Sequence, residues 1–253
     1  MRNIKLILEY DGTRYQGWQQ PGKKDPSGTI SGRLTGTLCR LTGEEIEIFC
    51  AARTEPGVHA SCQTVSFKTA SPLPVLEIRR ELNQYLPQDI AVLQAEEVPE
   101  RFHASLNLLS QTYTYRIHTG AVMDVFRRKY MFHVPRPLDI SAMEAAASQL
   151  VGTHDFRCLS SGRTKKSCEK ELLSAEIVSP AEEELRIVLE ASSFLHQMPR
   201  LIAGTLLDVG TGVRGAACIP AILSSREPAS RPAPPAGLCL TQTRYEGTAL
   251  KSP

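Results

Sequence analysis

The amino-acid sequence predicts an α+β protein made of two ferredoxin-like halves, each a β-α-β-β-α-β unit with an antiparallel sheet. Three observations carry this. Apolar residues alternate at period two in some segments and recur at helical spacing in others. The order of those segments in residues 1–105 is repeated in residues 106–253. The 253 residues, 42% hydrophobic and 22% charged, have an ordinary globular composition and suffice to bury a sizeable core. Unrelated proteins share this topology, so function has to be read from particular residues.

In the first half, Ile4 to Tyr10 is rich in branched and aromatic residues and runs into Asp11-Gly12, a strand ending in a turn. Ile30, Leu34, Leu38 and Leu41 fall at near-helical spacing, although Gly32 and Gly36 each weaken a helix by about 1 kcal/mol. Glu45 to Cys50 and Gln63 to Lys68 alternate as strands. Val75 to Leu86 is helical and is stopped by Pro87; another strand begins at Ile90. In the second half, Tyr113 to Ile117 alternates as a strand. Ser141 and Glu144 have capping-box spacing for a helix to about Val151. Leu172 to Val178 and Leu185 to Ala191 are strands, Met198 to Val209 is a helix ending at Gly210, and Gly237 to Tyr245 is a closing strand. Between the last two lies a Pro-rich, extended loop, residues 226–235.

The net charge of +2 does not by itself mark a nucleic-acid binder. Three short basic clusters, Arg79-Arg80, Arg127-Arg128-Lys129 and Arg163-Thr164-Lys165-Lys166, fit either a phosphate backbone or solvated surface. Seven scattered cysteines without a CxxC pair point to reduced thiols and a cytoplasmic chain. No apolar run approaches the roughly 18 residues of a membrane span, and the start does not read as a signal peptide. His59, His103, His154 and His196 match no metal-ligand spacing.

Taken singly, the unusual residues are ambiguous. Trp18, the only tryptophan, is followed by Gln19 and Gln20, and suits either stacking on a base or anchoring a core. Glu55, in a Pro-Gly loop, reads as an exposed acid, and Tyr113 as core or sheet surface. Arg200 sits in an apolar helix, where a guanidinium needs a partner.

Together they form a pattern. Tyr10-Asp11-Gly12 followed by Gly17-Trp18-Gln19, then Arg53-Thr54-Glu55-Pro56-Gly57-Val58-His59-Ala60, Arg101-Phe102-His103-Ala104, Tyr113-x-Tyr115, Gly152-Thr153-His154-Asp155-Phe156, Phe194 to Arg200 with Gly204-Thr205-Leu206-Leu207, and Gly237-Leu238-x-Leu240 run in register along essentially the whole chain. In these motifs the sequence resembles the tRNA pseudouridine synthase A (TruA) family. The resemblance implies the pseudouridine synthase fold and isomerisation of uridine to pseudouridine at positions 38 to 40 of the tRNA anticodon arm. It also implies a homodimer, with no metal or cofactor and no membrane. By motif, Glu55 takes the position of the catalytic carboxylate and Arg200 pairs with it. Arg53 helps to hold the flipped nucleotide or the space it leaves, and Tyr113 stacks on the uracil.

The chain departs from the family pattern near those positions. Glu55 replaces an aspartate, and one added methylene moves the carboxylate by about 1.5 Å. Ser105, Gln111 and Thr112 stand where the family is basic, Pro199 where it has valine, and Ala52 where it has glycine. Two readings follow: a synthase working through Glu55, or a catalytically weak or inactive RNA-binding paralogue on the same scaffold.

Overall fold

The computed structural model describes residues 1–19, 26–162 and 167–247. The basic cluster Arg163–Lys166 and Gln20 lie outside them. The chain forms two compact units, one of Met1–Gln111 with the segment from Leu240 onward, the other of Thr112–Cys239. The expected division after residue 105 kept the last strand with the second half. Compactness instead places its residues from Leu240 with the first. Thr243 Oγ1 lies 2.8 Å from Thr64 Oγ1, Leu109 N–H donates to Arg244 O, and the Tyr245 hydroxyl donates to Ala104 O at 2.6 Å.

The first unit runs β1 (Arg2–Tyr10), α1 (Ile30–Thr42), β2 (Ile48–Cys50), β3 (His59–Thr69), α2 (Val75–Tyr85) and β4 (Ile90–Val98). Its strands order as β4-β1-β3, with β2 also on β3, the ferredoxin-like arrangement, and the pairs β1/β3, β1/β4 and β2/β3 are all antiparallel. Alternation in β1 buries Ile4, Leu6, Leu8 and Tyr10 on one face. Helix α1 starts where the Thr29 side chain accepts from Gly32 N–H and stops where Gly43 turns left-handed at φ 72°. Helix α2 buries only Ile78 and Leu82. The alternation from Glu45 yields a strand only from Ile48.

The second unit holds β5 (Ser110–His118, from Thr112), β6 (Phe132–His133), α3 (Ile140–Ser148), β7 (Gly152–Asp155), β8 (Glu169–Ala181), β9 (Glu184–Ala191), α4 (Met198–Gly210) and α5 (Cys218–Leu223). Strand order is β5-β9-β8-β7, with β6 parallel to β5. The sequence reading omitted β6, β7 and α5, which are too short to show a period. Helix α3 corrects another point. Its cap is Asp139, whose carboxylate accepts from Ala142 N–H, so Ser141 lies inside the first turn and makes no capping box. A strand β10 (Leu238–Arg244) is the last element in the described chain.

Helix α4 is buried almost all round. The Pro-rich loop lies against it: a Cβ on Gly204 would stand 2.0 Å from Arg231 O, and Ser230 N–H donates to Thr205 Oγ1. The Pro-rich loop is therefore also a packing element against α4. Among the described residues no helix is long and apolar enough to cross a membrane.

Candidate active site

The segment carrying Arg53 and Glu55 links β2 to β3 and is held from three sides. Glu55 O accepts from Val58 N–H at 3.1 Å, closing a turn with Pro56 and left-handed Gly57 (φ 78°) at its centre. Proline then glycine is the sequence a type II turn requires. From below, Gln63 binds both backbone groups of Ala52, Nε2 donating to its carbonyl at 2.6 Å and Oε1 accepting from its N–H at 3.2 Å. The Thr54 hydroxyl pairs with the Tyr10 hydroxyl at 2.8 Å.

The third support is the Asp11–Trp18 segment. Trp18 N–H donates to Thr54 O at 2.9 Å. Gly17 sits at φ 82°, and a Cβ there would come 2.6 Å from Thr54 O and 3.0 Å from both the Glu55 carbonyl carbon and Pro56 N. Gly12 is as close to Val58, whose carbonyl oxygen would be 2.0 Å from an added Cβ. These glycines serve contact as well as turning. The open question over Trp18 resolves to core: it is 1% exposed and 6.3 Å from the Tyr10 ring, and burial pushes the Cys50 thiol up to about 12.

His59 is buried beneath this segment. Its Nδ1 accepts from Gly12 N–H at 3.1 Å and lies 3.3 Å from Asp11 Oδ1. One nitrogen cannot accept from the amide and also donate to the carboxylate. We take the amide bond as the real one, because that N–H has a fixed direction and a buried amide has to be satisfied. The other histidines have local partners: His103 Nδ1 accepts from Ser105 and Leu106 N–H, His154 Nε2 faces Val151 O, and His196 Nδ1 lies 2.6 Å from Ser161 Oγ. Phe102-His103-Ala104 is a brace, with Ala104 N–H donating to Ser66 Oγ and Asn3 Nδ2 to Phe102 O. Within the loop, Glu55 is half-buried and Arg53 exposed. Ser105 is also exposed, whereas Gln111 and Thr112 are buried in β5 and present no side chain to a phosphate from outside.

In the second unit, Tyr113 is buried with its ring edge-on to Phe194 at 5.3 Å. Arg200 occupies the third position of α4. The helix opens at Gln197, held left-handed at φ 60°, with Pro199 in the first turn, where a missing N–H costs nothing. The side chain is not loose. Nε donates to Ala233 O at 2.8 Å while Ala233 N–H returns a bond to Arg200 O at 2.9 Å. The next carbonyl, Pro234 O, accepts from the Tyr115 hydroxyl at 2.9 Å. Burial pushes the Tyr115 phenol well up, and only the nearby Arg200 charge opposes it. The Pro-rich loop thus anchors both side chains, a role the sequence reading missed. Gly204, a glycine in the middle of an apolar helix, was the available signal.

Two of the basic clusters are partly neutralised. Arg80 pairs with Glu77 and Glu81, and Arg127 with Asp124 and Glu184.

The class is that of an α+β protein of two units, the first fixing the backbone of a glutamate on a proline-glycine turn and the second anchoring a guanidinium in a helix's first turn; among the described residues there is no cluster of metal-ligating side chains. The family described as tRNA pseudouridine synthase matches residues 6–106 and 146–246. The chain is 42% identical to tRNA pseudouridine synthase A of Moorella thermoacetica, over 96% of this chain and 99% of the relative. It is 40% identical to tRNA pseudouridine synthase A 2 of Bacillus anthracis, over 90% and 92%. It is 38% identical to tRNA pseudouridine synthase A 2 of Clostridium perfringens, over 97% and 100%. The chain belongs to the tRNA pseudouridine synthase A (TruA) family.

Proposed function

We propose that the protein isomerises uridine to pseudouridine in tRNA, at positions 38 to 40 of the anticodon arm, acting in the cytoplasm as a homodimer and without metal or cofactor. The reaction cleaves the bond from uracil N1 to the ribose C1′, turns the base and rejoins it through C5. The C5 proton is lost and N1 gains one, so nothing is oxidised or hydrolysed. The target base first leaves its stack at a cost of a few kcal/mol. Glu55 is the carboxylate that serves the reacting centre as nucleophile or charge stabiliser. Arg53 holds the flipped nucleotide or its vacated place, Tyr113 stacks on the uracil, and Arg200 supplies the positive charge that keeps the carboxylate ionised.

The observation that carries this reading is the way Glu55 is held. A type II turn, a buried glutamine and two close-packed glycines fix its backbone, which is how a reacting group is kept within the roughly 0.5 Å that catalysis demands. The backbone that carries Glu55 is thus fixed, and the added methylene lengthens the reach of its carboxylate by about 1.5 Å.

The test is pseudouridine formation by the purified protein on unmodified tRNA carrying uridines at positions 38 to 40, beside the Glu55→Ala protein. Product from the natural protein and none from the variant is expected. Absence of product from protein that still binds the tRNA would sink catalysis on that substrate and leave the RNA-binding paralogue.

A further inference from the structure

We propose that the segment Phe126–Tyr130, with the guanidinium cluster gathered on Glu184 beside it, is a second RNA-binding surface, one that takes an unpaired stretch of the RNA away from the nucleotide that reacts. The inference rests on RNA as the substrate proposed above. It adds where else, and by what chemistry, that RNA is held. The segment lies between the two stretches matched by the family, residues 6–106 and 146–246, and holds none of the residues given a role in the reaction.

Charge comes first. Glu184 is 5% exposed and receives three guanidiniums, Arg116 at 3.1 Å, Arg127 at 3.0 Å and Arg186 at 2.8 Å. One carboxylate cannot neutralise three cations, and Asp124, 2.6 Å from Arg127 Nε, accounts for only one more. Arg136 lines a cleft with the hairpin tip. With it, Arg128 and Lys129 the surface carries six cations, against the four carboxylates of Asp124, Glu182, Glu183 and Glu184. The balance is positive, as a phosphate-binding surface requires. Donors are also left over. Arg186 gives Glu184 only its Nε, and its two terminal nitrogens have no partner among the described residues. That planar fork suits a phosphate held through two parallel bonds. Exposed Arg128 donates to the Val125 carbonyl and meets no carboxylate among the described residues.

Cations alone suit any anion, and the rings select among them. Phe126 is 94% exposed and Tyr130 39% exposed, one at each end of Arg127-Arg128-Lys129. Rings interleaved with cations suit a single strand, whose bases stack on the rings while its phosphates meet the charges. A duplex offers the same phosphates but no free base for Phe126. The segment is ordered in advance. The Asp124 carboxylate accepts from Phe126 and Arg127 N–H, each at 3.0 Å, and Tyr130 N–H donates to Arg127 O. Arg127 ties the turn to the hairpin through Glu184, and Thr119 N–H does so again through Glu183 O. A surface already ordered loses little freedom when it is covered.

Equilibrium binding of the full chain to unmodified tRNA, to octauridylate and to an eight-base-pair RNA duplex tests this. Phe126→Ala, at a position that adds nothing to the core, is expected to keep the circular dichroism and melting midpoint. It should weaken tRNA and octauridylate binding about tenfold and duplex binding less than about twofold. Phe126→Trp should restore binding and Phe126→Leu should not, because a ring and not mere apolarity is needed. R128A/K129A should weaken both single-stranded and duplex binding, and lower the log–log salt slope on octauridylate by about 0.7 per cation removed. In pseudouridine formation Phe126→Ala should raise KM for tRNA and leave kcat unchanged. Unchanged tRNA affinity in Phe126→Ala, full rescue by leucine, an equal loss on the duplex, or no binding of octauridylate by the natural protein would each overturn the surface. So would a fall in sedimented mass in Phe126→Ala, which would make the patch an interface between copies. Binding to phosphatidylglycerol vesicles that Phe126→Ala abolishes, with tRNA affinity intact, would make it a lipid surface and overturn the proposal too. If the natural protein forms no pseudouridine yet binds tRNA, the catalytic reading fails alone and the affinities still decide this one.

Discussion

The loop bearing Glu55 and the first turn of α4 bearing Arg200 solve the same problem by opposite means. Glu55 sits in irregular backbone, and its position is set by atoms pressed against that backbone from outside: Gly12, Gly17 and Gln63. Arg200 sits on regular backbone, which fixes its Cα, and only its long side chain has to be anchored, by Ala233 O. The difference teaches where each is fragile. A loop fails when a neighbour's shape changes, and a helix fails when its anchor moves.

The largest expected effect comes from altering reach on the loop while keeping charge. With its backbone fixed, Glu55→Asp withdraws the carboxylate by about 1.5 Å and should lower kcat about a hundredfold, with tRNA affinity nearly unchanged. A rise in turnover would show instead that the glutamate is a defect, and the paralogue reading would gain. Next comes the loop's backing. Gly17→Ala meets both a left-handed φ and the Thr54 carbonyl, and should cost about 3 kcal/mol in urea unfolding. Retention of full stability would mean that the loop yields easily, and the contrast with α4 would collapse.

On the helix side, Gly204→Ala improves helix propensity by about 1 kcal/mol but drives a methyl into Arg231 O. Overpacking should win, for a net loss of about 1 to 2 kcal/mol, and turnover should fall because the loop that holds Arg200 is displaced. Stabilisation by the alanine would show the loop to be a loose cover. The smallest effect is expected from Tyr115→Phe, which removes the hydroxyl bond to Pro234 O at about 1 kcal/mol, measured by thermal unfolding. A loss several times larger would make Tyr115, and not Arg200, the chief anchor of the loop.

Much of this was legible in the sequence. The strands and helices with a clear period were found because burial on one face writes that period, as in Ile4, Leu6 and Leu8 or Ile30, Leu34 and Leu38. The Gly-Trp and Arg-Thr-Glu motifs could be placed in order, but not their mutual contact, since nothing local says that Gly17 lies against Thr54. Trp18 stayed ambiguous for the same reason: composition cannot tell a buried ring from an offered one. Ser141 reads as the cap because Ser-x-x-Glu has capping-box spacing, but the helix is capped two residues earlier, at Asp139, a boundary set by tertiary packing. The anchoring role of the Pro-rich loop was not legible because it lies in carbonyl oxygens, which every residue has and no sequence displays.

The return of the segment from Leu240 to the first unit has a consequence for synthesis. Thr64 waits for Thr243, and Ala104 for Tyr245, so the first unit lacks these contacts until more than a hundred further residues, those of the second unit, have been made. Pairing at such separation is slow, because the loop has to close before any contact rewards it. The first unit is thus completed only after the second has been made, and a message truncated anywhere before residue 240 leaves a product whose first unit is incomplete.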